Sequence, residues 1–500
     1  MHGSVQDEAE SVVQRDASQK GHDTLTELEG YVYVVSRRRK GTTYWRCSVR
    51  NSQQTCPATV TQYENGEFCR GRHPHNHAPA VGVGVAKAVL HNAKLSASHD
   101  VFQPAAEVVD KVLREAHLER PCPALPAVAN IVRIANRYRS AMRPKDPQDL
   151  SFTVDNNYIP PDFLHCDISQ HGQRHLVFYS PDCLRLLSIA KSWYIDGTFA
   201  VVGKPFTQLL SIHCFVKADT CVKQVPLVYV LMSRRKTKDY VAVLESLRAR
   251  MPAIAVKRIT SDFERALWQA IAKVFPRTKH RGCTFHWTQA VYRKIQALGL
   301  ARQYREDRDV HKLCRRVMAL PLLPAAEIPR QFYRLRQQAV SEPMRALFDY
   351  VDKTWLSDVL WPPLSWSAFR RPIRTNNDVE GWHYRLNRRA RSRHLPFYVL
   401  VRLLWEESQT SKLSVDLVSD HKLTRNQKKN YQRLHCRLDT LWAEYESCEK
   451  SAKKLLNACA FVCGTKEQAC SSQADAEMFG GGDDGVCSWS SLQQDSGQSL

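Results

Sequence analysis

The sequence predicts a mixed α/β (α+β) protein, in which a small β-rich zinc-binding module precedes a larger sheet-and-helix core with a helical insertion. Three observations predict it. Short strand-like segments between residues 31 and 63 carry Cys47 and Cys56 and are followed by His75 and His77. Three apolar strand-like segments follow one another between residues 192 and 232, and helical and strand patterns alternate after them. Residues 291–372 are rich in Arg, Leu and Gln with helical spacing, far more chain than a connection needs.

The 500 residues leave room for roughly two to four domains. Apolar residues at 43% and charged residues at 24% are ordinary globular values. The charge balance is not: 72 Lys and Arg against 50 acids give +22. Such an excess favours a polyanionic partner, nucleic acid foremost, over a merely solvated basic surface. The first residues are polar and acidic (Gln6, Asp7, Glu8, Glu10), and no apolar run approaches the ~18 residues of a membrane span, so neither a signal peptide nor a membrane is expected. The 16 cysteines are then expected to be mostly reduced, with a few as metal ligands.

Residues 1–28 are polar and aperiodic and are expected to be a disordered tail. The module follows over 29–80. Tyr31–Val35 and Thr42–Cys47 read as strands joined by a basic turn, and Ala58–Tyr63 as a third strand entering an Asn65-Gly66 turn. The spacing C-x8-C-x18-H-x-H over Cys47, Cys56, His75 and His77 is not that of a helical finger. It offers zinc four ligands for a tetrahedron, and a unit of roughly 50 residues needs such a staple. His73 is a rival ligand. The aromatic first strand, Tyr44-Trp45 before Cys47, and the closing His75-Asn76-His77 resemble the FLYWCH zinc finger, with Tyr in place of the leading Phe. The resemblance implies a module that binds DNA or protein, and Arg37, Arg38, Arg39 and Lys40 suit phosphate contacts.

Residues 81–160 read as a linker, over 81–100, followed by two helical stretches at 104–118 and 124–142. With Arg133, Arg137, Arg139 and Arg143 on the second, the pair is either a helix-turn-helix-like DNA arm or a packed hairpin. The core is expected over 161–410. A strand at His175–Tyr179 and a helix from Asp182 lead into strands at 192–199, 208–216 and 225–232. A helix from Asp239, a fourth strand at 255–262 and another helix come next. Three antiparallel strands, a helix and a crossover strand make an RNase H-like arrangement. A basic helical region at 411–460 and a disordered tail at 461–500 complete the expected order.

Three acids stand out. Asp196 ends the first core strand, in Trp193-Tyr-Ile-Asp-Gly-Thr-Phe199, and Asp262 ends the fourth, which this topology sets beside the first. Glu380 would project from a helix crossing the sheet. Carboxylates from separated segments are what a two-metal phosphodiester site needs, and hard oxygens suit Mg²⁺ or Mn²⁺. Asp196-Gly-Thr-Phe199, Ser261-Asp-Phe-Glu-Arg-Ala266, Cys283-x2-His286 before Gln289-Ala290, and Asn376-Asn-x-x-Glu380-Gly-x-His383 occur in order. Over about 150–410 they resemble the Mutator-like element (MULE) transposases, in which an upstream zinc module is a frequent companion. The resemblance implies an RNase H-like core with a DDE triad of Asp196, Asp262 and Glu380, and metal-dependent cutting at transposon ends. The freed 3′-hydroxyl then attacks target DNA. Double-stranded DNA, a nuclear location and a homo-oligomer are the corresponding expectations. The rival readings are a domesticated DNA-binding regulator and a nuclease acting on RNA–DNA hybrids.

Arg385, Arg388, Arg389 and Arg391, interleaved with Trp382 and Tyr384, suit phosphates and an unpaired base, or else form a solvated helix face. His383 shares a helix face with Glu380 and could orient it, meet a phosphate, or lie on the surface. Cys283 and His286, three apart at a helix start, would either bind a second zinc or fix that helix against the sheet. Asp219, Asp239 and Glu264 read as surface charges or caps.

Overall fold

A computed structural model describes residues 11–14, 23–27, 30–116, 122–371, 377–425 and 429–462. Arg374, Asn376, Cys463, Cys470 and the carboxy-terminal tail lie outside the described residues. The chain divides between Lys145 and Asp146 into two compact units.

The first unit opens with an antiparallel meander of six strands: β1 (Ser11–Gln14), β2 (Thr24–Glu27), β3 (Val32–Arg39), β4 (Thr42–Cys47), β5 (Thr59–Tyr63) and β6 (Phe68–Arg70). The sequence offered three strands and a tail. Instead β2 pairs along β3, Leu25 opposite Tyr33, and is buried throughout. Thr-Leu-Thr-Glu is too short and polar to announce itself; the free edge of β3 makes it a strand. Leu25, Tyr33, Trp45 and Val60 form the small core between them.

Three helices follow: α1 (Val83–His99), α2 (Ala105–Glu115) and α3 (Val128–Ser140). The expected linker at 81–100 is therefore wrong over most of its length. Ala86, Val89, Ala93 and Ala97 recur at helical spacing, and these small side chains let α1 pack closely on α2 and α3. Arg139 and Arg143 turn inward, to the carbonyls of Gln103 and Val101, while Arg133 and Arg137 stay exposed.

The second unit is built on a seven-stranded sheet of β7 (Leu164–Gln170), β8 (Gln173–Phe178), β9 (Ser192–Thr198), β10 (Gln208–Ala218), β11 (Cys221–Met232), β12 (Arg258–Ser261) and β13 (Lys279–Gly282). Its order is β13-β12-β9-β10-β11-β8-β7. β12 is parallel to both β9 and β13, and the other pairings are antiparallel. Along β9, Trp193 and Ile195 enter a core with helices α4 (Pro181–Ile189), α5 (Thr237–Arg250) and α6 (Arg265–Val274). Period-two alternation therefore sends Tyr194 and Asp196 to the opposite face.

A second core gathers Trp287, Trp355, Trp361, Trp366 and Trp442. It is built by α7 (Thr284–Ala297), α8 (Ala301–Glu306), α9 (Arg308–Met318), α10 (Ile328–Arg336), α11 (Glu342–Val351) and α12 (Pro363–Trp366), so the insertion has its own interior. α13 (Asn377–Ala390) then returns to the sheet, and α14 (Phe397–Ser419) packs on β10 and β11. The expected boundary at 410/411 falls inside α14. The region beyond it is two helices, α15 (Lys429–Glu446) and α16 (Ala452–Val462), and not a separate basic module. Leu438, Trp442, Leu455 and Cys459 enter the tryptophan-rich core, and Trp442 Nε1 donates to the Leu322 carbonyl at 2.9 Å. The basic residues had masked this apolar stripe.

Candidate active site and zinc centre

In the first unit, β4 ends at Cys47, the following loop supplies Cys56, and the chain beyond β6 supplies His75 and His77. Their ligand atoms lie within 4.8 Å of one another. Cys47 Sγ is 3.2 Å from His77 Nε2, Cys56 Sγ is 3.3 Å from His75 Nδ1, and the two ring nitrogens are 3.3 Å apart. The outer nitrogens are also engaged. His75 Nε2 lies 2.8 Å from the Tyr33 hydroxyl, and His77 Nδ1 lies 2.9 Å from the Ala78 carbonyl. Donation from those outer nitrogens leaves the inner lone pairs directed at the centre, as zinc ligands require. Two thiols and two imidazoles converging in this way fit a tetrahedral zinc. His73 is exposed and outside the cluster. Of the basic run at the end of β3, Arg38 pairs with Asp23 and Arg37 lies over the Tyr44 ring at 4.3 Å, whereas Arg39 and Lys40 are exposed on the turn.

In the second unit, the register sets Ser261 beside Ile195, so the next residues along the parallel pair, Asp262 and Asp196, are neighbours. Asp196 is buried, and its Oδ1 accepts from the Gly197 N–H at 2.8 Å. Gly197 lies within β9, and a Cβ there would meet Gln208 Nε2 at 2.4 Å, so the Gln208 side chain fills the space that glycine leaves beside Asp196. Asp262 is anchored through aromatic side chains: its carbonyl accepts from Trp268 Nε1 at 2.6 Å, and the adjacent Phe263 is caged by Trp268 and Trp355. The helical insertion thus buttresses the strand end that bears an acid.

Glu380 arrives on α13, and His286 on α7 joins it to Asp262. His286 Nδ1 is 2.5 Å from Asp262 Oδ1, and Nε2 is 3.0 Å from Glu380 Oε1. The sequence left packing and zinc binding open for Cys283 and His286. Cys283 is buried at the N-cap of α7, whereas His286 stands among the acids; the C-x2-H motif was the signal, without its meaning. His383 Nδ1 lies 3.9 Å from Glu380 Oε2, and the residue is buried rather than on the surface.

Burial, reinforced by the charge of Asp262, raises the Asp196 carboxyl well above the usual carboxylate range. Burial acts the same way on Glu380, but the imidazoles of His286 and His383 prevail and hold it at about 2. Burial opposes protonation of both histidines; the carboxylates outweigh it and raise both. Ligand atoms of Asp196, His286 and Glu380 lie within 4.8 Å of one another. Asp262 Oδ1, His286 Nδ1 and His383 Nε2 are buried without a hydrogen-bond partner among the described residues. The close Asp262–His286 approach is not aligned as a hydrogen bond. With His286 deprotonated, as metal binding requires, its ring nitrogen and the carboxylate oxygens of Asp196 and Glu380 would together fit a cation.

Several expectations for neighbouring residues need correction. Trp382 is buried, its Nε1 donating to Glu407 Oε2 at 2.7 Å, so it is not open to a base. Arg385 and Arg389 pair with the same buried Glu407, and Arg389 also with Glu406 at 2.6 Å. They fasten α13 to α14. Arg388 and Arg391 are exposed, and Arg388 lies 5.9 Å from the exposed Tyr384 ring. Asp239 caps α5, one of the two roles expected for it, but is buried and pairs with Arg234 at 2.9 Å. Glu264 is half-buried and accepts from the Tyr240 hydroxyl at 3.0 Å.

Residues 16–77 match the FLYWCH zinc finger domain, and residues 192–290 match the MULE transposase domain. The first match includes all four Cys and His ligands and β2, and supports a structural zinc; the second includes Asp196, Asp262, Cys283 and His286 and ends before Glu380. No curated protein matches the chain significantly. Among the described residues no helix is long and apolar enough to cross a membrane. Along the chain, then, a region matching the FLYWCH zinc finger domain precedes one matching the MULE transposase domain.

Proposed function

We propose that the chain is a DDE transposase of the MULE type: a metal-dependent DNA phosphoryl-transfer enzyme with an RNase H-like core and a zinc finger that contacts DNA. One observation carries this reading. The parallel register of β9 and β12 makes Asp196 and Asp262 neighbours, and His286 links Asp262 to Glu380 from an otherwise distant helix. The strand order, a meander with the fourth strand beside the first, suits the same core.

In this reading Asp196, Asp262 and Glu380 hold Mg²⁺ or Mn²⁺, which when bound supplies positive charge to the attacking and leaving oxygens. The rigid backing of Asp196 by Gly197 and of Asp262 by Trp268 and Phe263 pre-orients the carboxylates. His286 keeps Asp262 and Glu380 at a set spacing. Water attacks a phosphodiester at the element end, and the 3′-oxygen leaves as a hydroxyl. That hydroxyl loses its proton as it attacks a target phosphodiester, whose own 3′-oxygen leaves. A nuclear location and a homo-oligomeric assembly belong to this reading.

The test is DNA cutting by the zinc-loaded full chain in Mg²⁺ or Mn²⁺, on DNA bearing the sequences that flank its gene. Asp196→Asn, Asp262→Asn and Glu380→Gln should each lower cutting by about a hundredfold or more while DNA binding persists. Undiminished cutting by Asp196→Asn refutes the reading.

A further inference from the structure

The arginines around the acids divide into two classes. Most have a carboxylate: Arg385 and Arg389 have Glu407, Arg370 has Glu446, Arg425 has Asp378, and Arg265 has Asp358. Arg281 and Arg371 have none among the described residues, although both are partly buried.

Their position follows from the sheet. Ile259 enters the core shared with α6, and His280 stacks on Trp268 at 3.7 Å. Alternation then directs Arg258, Thr260 and Arg281 to the other face, the one that bears Asp196. Arg281 pairs with Thr260, two residues before Asp262, which is about 7 Å along the strand. Arg371 approaches the same edge strand through α12, its Nη2 donating to the Leu364 carbonyl at 3.3 Å. Its Nε is buried without a hydrogen-bond partner. Arg281 is followed in β13 by Gly282, and the chain then enters α7, which carries His286.

Two like charges held together without a counter-charge are costly. Burial and then the charge of Arg281 lower Arg371 to about 9, and burial and Arg258 lower Arg281. An anion here would relieve both penalties and gain charge-assisted hydrogen bonds. Planar guanidiniums match the paired oxygens of a phosphodiester.

We propose that Arg281 and Arg371 clamp a backbone phosphate of the DNA strand next to the one being cut. This rests on the DNA-cutting reading above, and it moves the substrate contacts from Arg385 and Arg389 to the β13 edge.

The test is binding of a fluorescent DNA duplex by the zinc-loaded full chain across a NaCl series, without Mg²⁺ or Mn²⁺. Losing one phosphate contact should lower affinity about fivefold at 0.15 M NaCl and flatten the log–log salt slope by about 0.9. Arg281→Gln and Arg371→Gln should each show this, and the double variant should fall little further because both hold one phosphate. Arg371→Lys should recover part of the loss. Should Arg371→Gln fail to fold, Arg281→Gln on the edge strand carries the test alone. An unchanged salt slope in a folded Arg281→Gln protein overturns the proposal. So does thermal stabilisation by inorganic phosphate that needs both arginines while DNA binding does not, which would mark a free-anion site. Because the assay involves no cutting, an inactive triad leaves its outcome readable.

Discussion

Replacing Glu407 with alanine should release α13, the helix that carries Glu380, from its support on α14. The Glu407 carboxylate is 1% exposed and accepts from Trp382 Nε1 and Arg385 Nη2, each at 2.7 Å, and from Arg389. Truncation orphans a buried indole N–H, at about 1–3 kcal/mol. The two guanidiniums, with side chains 47% and 35% exposed, can rehydrate, so each adds only about 0–1 kcal/mol. The sum is about 1–5 kcal/mol, localised on α13. Glu407→Gln keeps an acceptor for Trp382 and should lose only about 1 kcal/mol. The assay is native-state hydrogen exchange over 377–390, where a loss of about 2 kcal/mol accelerates exchange roughly thirtyfold. The partners outweigh burial and hold the Glu407 carboxyl below the usual glutamate range. Its contribution is therefore present at neutral pH and lost as pH falls below about 4 through the depressed value. Unchanged protection of α13 in Glu407→Ala would refute the account of how Glu380 is held.

Three further outcomes are expected. Cys56→Ser and His77→Ala should each lose one equivalent of zinc and unfold the six-stranded sheet, while His73→Ala keeps its metal; zinc titration with a chromogenic chelator reads this, and loss from the His73 variant contradicts the ligand set. Gly282→Ala places a Cβ 2.0 Å from Phe263 Cζ, a ring confined by Trp268, Trp355 and Trp361, and should cost about 1–3 kcal/mol in unfolding experiments. A wild-type transition midpoint would contradict that confinement. His286→Ala should lower DNA cutting by about a hundredfold without weakening DNA binding, and full activity would reduce His286 to a bystander.

Much of the site was legible because its residues announce themselves locally. Asp196 follows Trp193, Tyr194 and Ile195 in an alternation that defines both a strand and its two faces. Cys47, Cys56, His75 and His77 are chemically distinctive, and their spacing was sufficient to group them. Harder to read were elements with weak local signals. β2 is a strand only because β3 presents an unpaired edge, and α1 is a helix whose buried stripe is mostly alanine. The arginines after Glu380 were misread for a related reason: a run of positive charge looks the same whether it faces water or a buried carboxylate.

By itself, then, the sequence determined the chemistry available to this protein: three acids at strand or helix positions, two thiols and two imidazoles for zinc, and an excess of basic charge. Those are properties of residue type and short-range spacing. The tertiary structure alone decided which of them meet. Strand register set Asp262 beside Asp196, the start of α7 aimed His286 between two acids, and Glu407, buried on α14, claimed two of the arginines that had seemed free for DNA. Ion pairing and metal coordination act over a few ångströms in space, whereas these partners stand from 18 to 184 residues apart in the chain, between Arg389 and Glu407 and between Asp196 and Glu380. No local pattern encodes such a distance; only the packed sheet and its helices do.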